Sequence, residues 1–321
     1  MSDQIINKLL PLMVLKGIFN KIIILFALFF VFIGSKAQEK VEISFKYDDA
    51  LLAKIRTAAQ SVSGMKPHEI RYIKFAESPR TFAQTVEGGS DKPYIQARTA
   101  YQIVYTNSTV MVDAGMDREV HKFFGRGQKQ PYFPTANDSI QKALLQAKQI
   151  IITHEHGDHV AGVLRTVNYE KLAPKTILTY QMLQTLINQP QMPELKVDAQ
   201  KIRDFIAVDF FDILPVAPGI VLIKAPGHTP GEIMVYTQFE NGKEYLFTGD
   251  VSWSYAGIDE KKQKPASQRD RIGEDAVKIQ YQLDWLNELP SKGIQLIVSH
   301  DDIVQPELIK KGILKKGFIL K

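Results

Sequence analysis

Seven histidines occur in this chain of 321 residues, and five of them, His154, His156, His159, His228 and His300, stand just beyond short apolar runs. Three fall within one hexapeptide, His154-Glu155-His156-Gly157-Asp158-His159. Side chains two apart in an extended segment leave the same face, so His154 and His156 can grip one cation. Gly157 lets the backbone turn, after which Asp158 and His159 face a second position close by. His228 then completes three imidazoles for a first cation, and Asp158, His159 and His300 make a set for a second. Asp250, with two carboxylate oxygens, can bridge them. The chain has no cysteine, so thiolate metal sites, disulfides and thiol nucleophiles are all excluded. Divalent zinc suits imidazole and carboxylate donors, and a catalytic site keeps one position open for water. His68 and His121 have no such motif around them and are read as structural.

Two such cations about 3.5–4 Å apart would share a water and lower its pKa from about 15.7 to about 7, making hydroxide available at neutral pH. The expected reaction is therefore hydrolysis without a protein nucleophile. Asp158 is assigned a catalytic role besides its metal role, orienting that hydroxide and passing a proton to the leaving group. Thr153, Thr229 and Ser299 adjoin the ligands and can hydrogen-bond to them.

These residues need strands to deliver them, and the pattern supplies strands. Ile150–Ile152 runs into His154, Ile220–Lys224 into His228, Glu244–Thr248 into Asp250, and Ile294–Val298 into His300. Polar residues gathered on the loops at strand ends are where a rigid sheet presents chemistry. Further strands are expected at Ile70–Phe75, Ala97–Val104, Val110–Val112 and Thr176–Thr179, with hairpins at Thr106-Asn107-Ser108 and at Asn241-Gly242. Apolar residues at helical spacing predict helices over Asp48–Ser61, Ser139–Ala147, Gln181–Ile187 and Asp275–Leu289. Gly125–Pro134 and Asp259–Arg271 read as loops. Phe123 and Phe124, with Tyr132 and Phe133 beyond the glycines, could form a lid over an acyl chain or an ordinary packed loop.

Apolar residues make up 45% of the chain and charged residues 23%, which excludes wholesale disorder. Ile22–Ile33 is an unbroken run of twelve apolar residues, preceded by Lys8, Lys16 and Lys21 and followed by Gly34-Ser35-Lys36-Ala37. That run is short for a bilayer span, which takes about 20 residues, and fits the apolar middle of a secretory signal. Residues 1–37 are thus expected to be a cleaved signal peptide and 38–321 a single domain, exported to a bacterial periplasm or exterior with no stable membrane association. The formal charge of +5 falls to +2 without that segment. So small a balance carries no electrostatic footprint for nucleic acid and leaves a small molecule as the expected partner.

Taken together, His154-Glu155-His156-Gly157-Asp158-His159, His228 in Pro226-Gly227-His228-Thr229-Pro230-Gly231, Asp250 in Phe247-Thr248-Gly249-Asp250 and His300 in Ser299-His300-Asp301 resemble the metallo-beta-lactamase-fold hydrolases. The resemblance runs from about Tyr72 to Ile303. It implies an α/β fold, a four-layer αββα sandwich with the metals at one edge, and it matches Asp113 to an early Asp-x-Gly turn supporting the metal loop. The ligand set is lactonase- and glyoxalase II-like. Lactonases of this family place a Tyr three residues beyond the bridging Asp, where this chain has Trp253; Tyr255 is a nearby candidate for that phenol. The reading reached is a zinc-dependent hydrolase of an ester, thioester or lactone. A phosphodiesterase, a beta-lactamase and a mono-iron sulfur dioxygenase are the alternatives on the same fold, and a non-catalytic binding protein stands furthest off because no ligand is missing.

Overall fold

A computed structural model describes residues 46–320. The apolar run and the expected cleavage point after Ala37 lie outside the described residues. Seven strands form one sheet: β1 (Glu69–Thr81), β2 (Pro93–Val104), β3 (Thr109–Val112), β4 (Gln149–Ile151), β5 (Thr176–Thr179), β6 (Ile206–Val208) and β12 (Lys315–Lys316), in the order β12-β1-β2-β3-β4-β5-β6. The second sheet holds β7 (Ile213–Ala217), β8 (Ile220–Lys224), β9 (Ile233–Gln238), β10 (Glu244–Phe247) and β11 (Ile294–Ile297), in the order β11-β10-β9-β8-β7. Both sheets are mixed. β1, β2 and β3 pair antiparallel through hairpins, whereas β3, β4, β5 and β6 run parallel and are joined by helices, as parallel strands require.

The two sheets face each other across one core. Tyr101 from β2 meets Phe247 from β10 with ring centroids 5.2 Å apart, and Ile220, Leu222, Ile233 and Val235 join the same cluster. Their neighbours on the opposite face, Val221, Ile223, Met234 and Leu246, are also buried. A strand that is buried on both faces needs cover on both. Here the outer cover comes from helices Asp49–Ala58, which buries Leu51, Leu52 and Ile55, and Ala276–Glu288, which buries Ile279, Leu283 and Leu286. Helices Pro134–Gln146, Gly157–Leu164 and Tyr180–Asn188 bury their apolar sides with the residues of β3, β4 and β5 in the main cluster. The result is the expected four-layer αββα sandwich. Among the described residues no helix is long and apolar enough to cross a membrane.

Several local readings needed correction. β1 continues to Thr81, six residues past the alternating segment, because Glu77–Thr81 pair with Pro93–Ala97 across the ladder even though Pro79 breaks the pattern. The helix expected from Ser139 begins at Pro134, where a missing N–H costs nothing at the first helical position. The polar stretch 259–271 contains most of a helix, Ala266–Ile272, closed by Gly273 at φ 82°. Phe123 and Phe124 belong to a helix, Arg118–Gly125, rather than to a loop. The hairpin at Asn241-Gly242 forms as read, with Gly242 at φ 81° between β9 and β10.

Candidate metal centre

All seven residues singled out by the spacing converge at one edge of the sandwich, and all but half-exposed His156 are buried. The hexapeptide leaves β4 extended and enters helix Gly157–Leu164 with His156 as its N-terminal cap residue. Its turn is clamped from beneath. Gly162 packs so close to the preceding loop that a Cβ there would lie 2.0 Å from the Ala114 carbonyl oxygen. Its N–H donates to the Gly115 carbonyl at 2.8 Å, and the Ala114 N–H donates to the His159 carbonyl at 2.8 Å. Asp113, at φ 63°, accepts from the Thr153 N–H at 2.8 Å, the Thr153 hydroxyl at 2.9 Å and His159 Nδ1 at 2.8 Å. The loop containing Asp113 thus supports the hexapeptide as the resemblance implied.

The other three residues come from the second sheet. His228 follows β8 in a turn whose Gly227 N–H donates to the Thr229 carbonyl. Asp250 follows β10 through Gly249, at φ 58°, where a Cβ would press 2.6 Å from Glu232 Oε1. The Asp250 N–H donates to that same oxygen at 2.6 Å. His300 follows β11 and donates from Nδ1 to the Ala97 carbonyl on β2.

Donor atoms gather into overlapping triads: His154, His156 and His228; His154, His159 and Asp250; Asp158, His159 and His300, each within 4.8 Å. Asp250 lies between the first and last. Its Oδ2 is 3.5 Å from His228 Nε2 and 3.8 Å from His154 Nε2, and its Oδ1 is 3.6 Å from His159 Nε2 and 3.0 Å from His300 Nε2. Nδ1 of His159, His228 and His300 is taken up by Asp113, Glu274 and the Ala97 carbonyl, which directs each Nε2 lone pair inward. Nε2 of His154 and of His159 is buried with no hydrogen-bond partner, as is Oδ1 of Asp250. Buried donors and acceptors are rarely left so, and a cluster of unpaired lone pairs aimed at common points is what cations would satisfy. The residues present fit a pair of divalent ions.

Electrostatics agree with that fit at four of the residues, whereas at His159 burial is outweighed by Asp158, Asp113 and Asp250, which hold the ring well above the usual histidine range while no cation is bound. Burial, reinforced by the neighbouring imidazoles, pushes His154 well below the usual histidine range and His156 to about 3, so both rings are neutral and able to coordinate. Burial would raise Asp250, but His300, His159 and His154 outweigh it and hold the carboxyl well below its usual range. For Asp158 the same opposition is won by Arg98 and His159.

Sequence reading missed several members of the site. Arg98, buried on β2, pairs with Asp158 and sits 5.0 Å over the Phe124 ring. Its signal was a lone arginine inside an otherwise uncharged strand, since a buried guanidinium needs an anion. Glu274 and Lys264 gave no such signal. Lys264 Nζ donates to Glu274 at 2.6 Å and to the Asp250 carbonyl at 2.6 Å, tying the Asp250 and His228 loops together. Glu155, inside the hexapeptide, turns away from the cluster and accepts from the Thr229 hydroxyl at 2.8 Å. Ser299 contributes only its carbonyl, which accepts from Thr99.

A cleft of about 810 Å³ opens over the cluster. Trp253 lines it and donates from Nε1 to Asp250 Oδ2 at 2.9 Å. Tyr255 is elsewhere: its hydroxyl donates to the Leu296 carbonyl, so it does not offer the phenol that Trp253 replaces. Phe123 and Phe124 line the cleft, but Tyr132 packs beneath against His121 and donates to the Met116 carbonyl, so the aromatics do not close over the cluster as one lid.

Relatives share both sequence and shape. Residues 96–286, more than half of the chain, match the sequence profile of the metallo-beta-lactamase superfamily. The chain is 29% identical over 117 residues to the hydroxyacylglutathione hydrolase of Blochmanniella pennsylvanica, covering 36% of this chain and 38% of that protein. It is 28% identical over 140 residues to the hydroxyacylglutathione hydrolase of Methylobacillus flagellatus, covering 41% and 50%. The chain therefore spans at most half the length of these curated relatives. In three dimensions a quorum-quenching N-acyl homoserine lactone lactonase superposes with a TM-score of 0.60 over 76% of this chain and 97% of that one, at 15% identity, which is a likeness of fold. With that profile match laid over the sandwich and its ligand cluster, the chain belongs to the metallo-beta-lactamase superfamily.

Proposed function

We propose that this protein is a dinuclear metal-dependent hydrolase, with zinc as the resident metal, that cleaves an ester, thioester or lactone of a small molecule. The observation that carries the reading is the position of Asp250, whose carboxylate lies within 3.8 Å of Nε2 of His154 and His228 from one donor set and of His159 and His300 from the other. His154, His156 and His228 would hold one ion, Asp158, His159 and His300 the other, and Asp250 both. A bound pair supplies Lewis acidity, acidifying water and polarising a carbonyl oxygen. The protein's own groups do the rest. Asp113, Glu274 and the Ala97 carbonyl fix the imidazole tautomers. Asp158, held ionised by Arg98, would help hold the second ion and is placed to orient the attacking water. Trp253 steadies Asp250 and forms one side of the cleft. No serine or cysteine nucleophile is required.

We also propose that residues 1–37 direct export and are removed, so that 38–321 is the working domain. The mass of the protein recovered from a periplasmic fraction tests this directly; a chain retaining Met1 in the cytoplasm would overturn it. The hydrolase reading is tested by a panel of lactones, thioesters, esters, phosphodiesters and beta-lactams, assayed with metal content measured and with a chelator. Turnover of a carboxylic ester, thioester or lactone that disappears on chelation, with two zinc ions per chain, is the expected result. Activity surviving full metal removal would refute it.

A further inference from the structure

The cleft above the metal cluster has a charge that hydrolysis of a neutral ester does not call for. Arg80, at the end of β1, Arg126, at the C-terminal cap of helix Arg118–Gly125, and Arg271, in the last turn of helix Ala266–Ile272, all line it together with Arg98. Arg98 is committed to Asp158. Among the described residues the other three are paired with no carboxylate: Arg80 reaches only the Pro79 carbonyl, at 3.4 Å, and Arg271 only the Gln268 side chain. They come from three separate elements, so no local rule of helix or strand places them together. Like charges at one opening repel, and the effect is visible at Arg80, where burial and then Arg98, Arg271 and Arg126 lower its guanidinium to about 10. The carboxylates that line the same cleft are spoken for: Asp158 and Asp250 belong to the metal cluster, and Glu155 is buried on Thr229. The wall formed by helix Tyr180–Asn188 is uncharged. Helix Tyr180–Asn188 buries Met182, Leu183 and Leu186 and turns Gln181, Gln184 and Asn188 to the opening. The apolar lining comes from Phe123, Phe124, Pro230, Trp253 and Ile272.

We propose that the substrate carries a second anionic group, a carboxylate or a phosphate-type oxyanion, held by Arg80, Arg126 and Arg271 while its scissile carbonyl lies at the metal pair. This rests on the hydrolase reading and narrows its substrate class. Arginine is suited to the task because its planar fork matches both oxyanions and it remains charged when partly desolvated. The amide wall would hydrogen-bond the polar body between the two ends. A convergent set of unpaired cations also raises the local concentration of an anionic ligand and accelerates its capture, an effect that salt weakens.

The test uses the zinc-loaded protein and two measurements. In the first, acetate, glutarate, 3-phosphonopropionate and glutaramic acid are titrated calorimetrically into wild type, the double variant Arg80→Gln/Arg271→Gln and the charge-keeping variant Arg80→Lys/Arg271→Lys. Acetate and glutaramic acid carry one anion, which can sit on the metals; glutarate and phosphonopropionate carry a second. The expected result is at least tenfold tighter binding of the two-headed ligands, loss of that margin in the glutamine variant with two zinc ions still bound per chain, and recovery of much of it with lysine. Whichever of glutarate and phosphonopropionate loses the larger margin in the glutamine variant is the better match to the arginines. Equal affinity for one- and two-headed ligands, or a margin unchanged in the glutamine variant, overturns the proposal. In the second, the ratio of kcat/KM for mono(4-nitrophenyl) glutarate to that for 4-nitrophenyl butyrate falls at least tenfold in the glutamine variant and falls with added salt in wild type; a constant ratio counts against the proposal. If neither ester nor any other carboxylic ester, thioester or lactone is cleaved, the hydrolase reading fails, and the titration still decides the anion site.

Discussion

The floor of the cleft and its mouth are built on opposite plans. On the floor, three buried histidines are each oriented by a named partner: Asp113 under His159, Glu274 behind His228, the Ala97 carbonyl behind His300. At the mouth, Arg126 and Arg271 are exposed, and half-buried Arg80 is without a carboxylate partner among the described residues. Buried groups held by specific hydrogen bonds take a defined geometry, whereas exposed long side chains set a field but no fixed geometry. On the proposed reading the floor does the chemistry and the mouth chooses among substrates.

That contrast can be broken by substitution. The largest effect is expected for Asp250→Ala, which removes the carboxylate shared by both donor sets: turnover should fall by at least about a thousandfold and zinc content to one ion or fewer, read by elemental analysis beside the rate. Full activity with two ions retained would end the division of roles. Next comes Asp113→Ala, which never touches a metal position yet strands the Thr153 N–H and His159 Nδ1. Each buried group left unpaired costs about 1–3 kcal/mol, and loss of an orienting carboxylate typically lowers metal affinity about 10–100-fold. Competition with a zinc-sensitive dye and a denaturant titration would read both numbers. Glu274→Gln should be milder at the metal, about tenfold in zinc affinity, because Gln can still accept from His228. It also leaves the buried Lys264 ammonium without its anion, so stability should fall by about 3 kcal/mol. A Glu274→Gln protein as stable as wild type would show that the Lys264 link is ornamental. Smallest is Arg126→Gln at the mouth: a shift within about 0.5 kcal/mol in stability, as for most exposed positions, and no change in zinc content. A metal loss there would erase the boundary between floor and mouth.

The same division governs how much of the molecule could be read from its sequence. The floor was legible because it is local: the hexapeptide writes four ligand-type residues within six positions, and His228, Asp250 and His300 each end an apolar run. Even Asp113 could be placed, through the turn that the family resemblance supplied. Strands whose faces are both buried, such as β8 and β9, announced themselves as continuous apolar runs. What escaped depends on tertiary proximity. β1 extends through Pro79 only because β2 lies beside it, and β6 and β7 are short and partly exposed, so no periodicity marked them. Arg80, Arg98 and Arg271 are far apart along the chain and share no spacing, and Lys264 and Glu274 lay in or beside a stretch whose polarity argued for a loop. The Phe123–Phe124 pair was noticed, but its helix was not, because the helix is short and only Val120, His121 and Gly125 are buried along it.

Asp113 has a consequence of its own. It is a buried non-glycine residue in the left-handed region, a conformation that costs of order 1–3 kcal/mol and persists only where surroundings over-determine it. That penalty is met while the chain folds, by contacts that involve no cation. The loop beneath the hexapeptide is thus set by hydrogen bonds that involve no ion, so a protein stripped of metal should keep that support and reload reversibly.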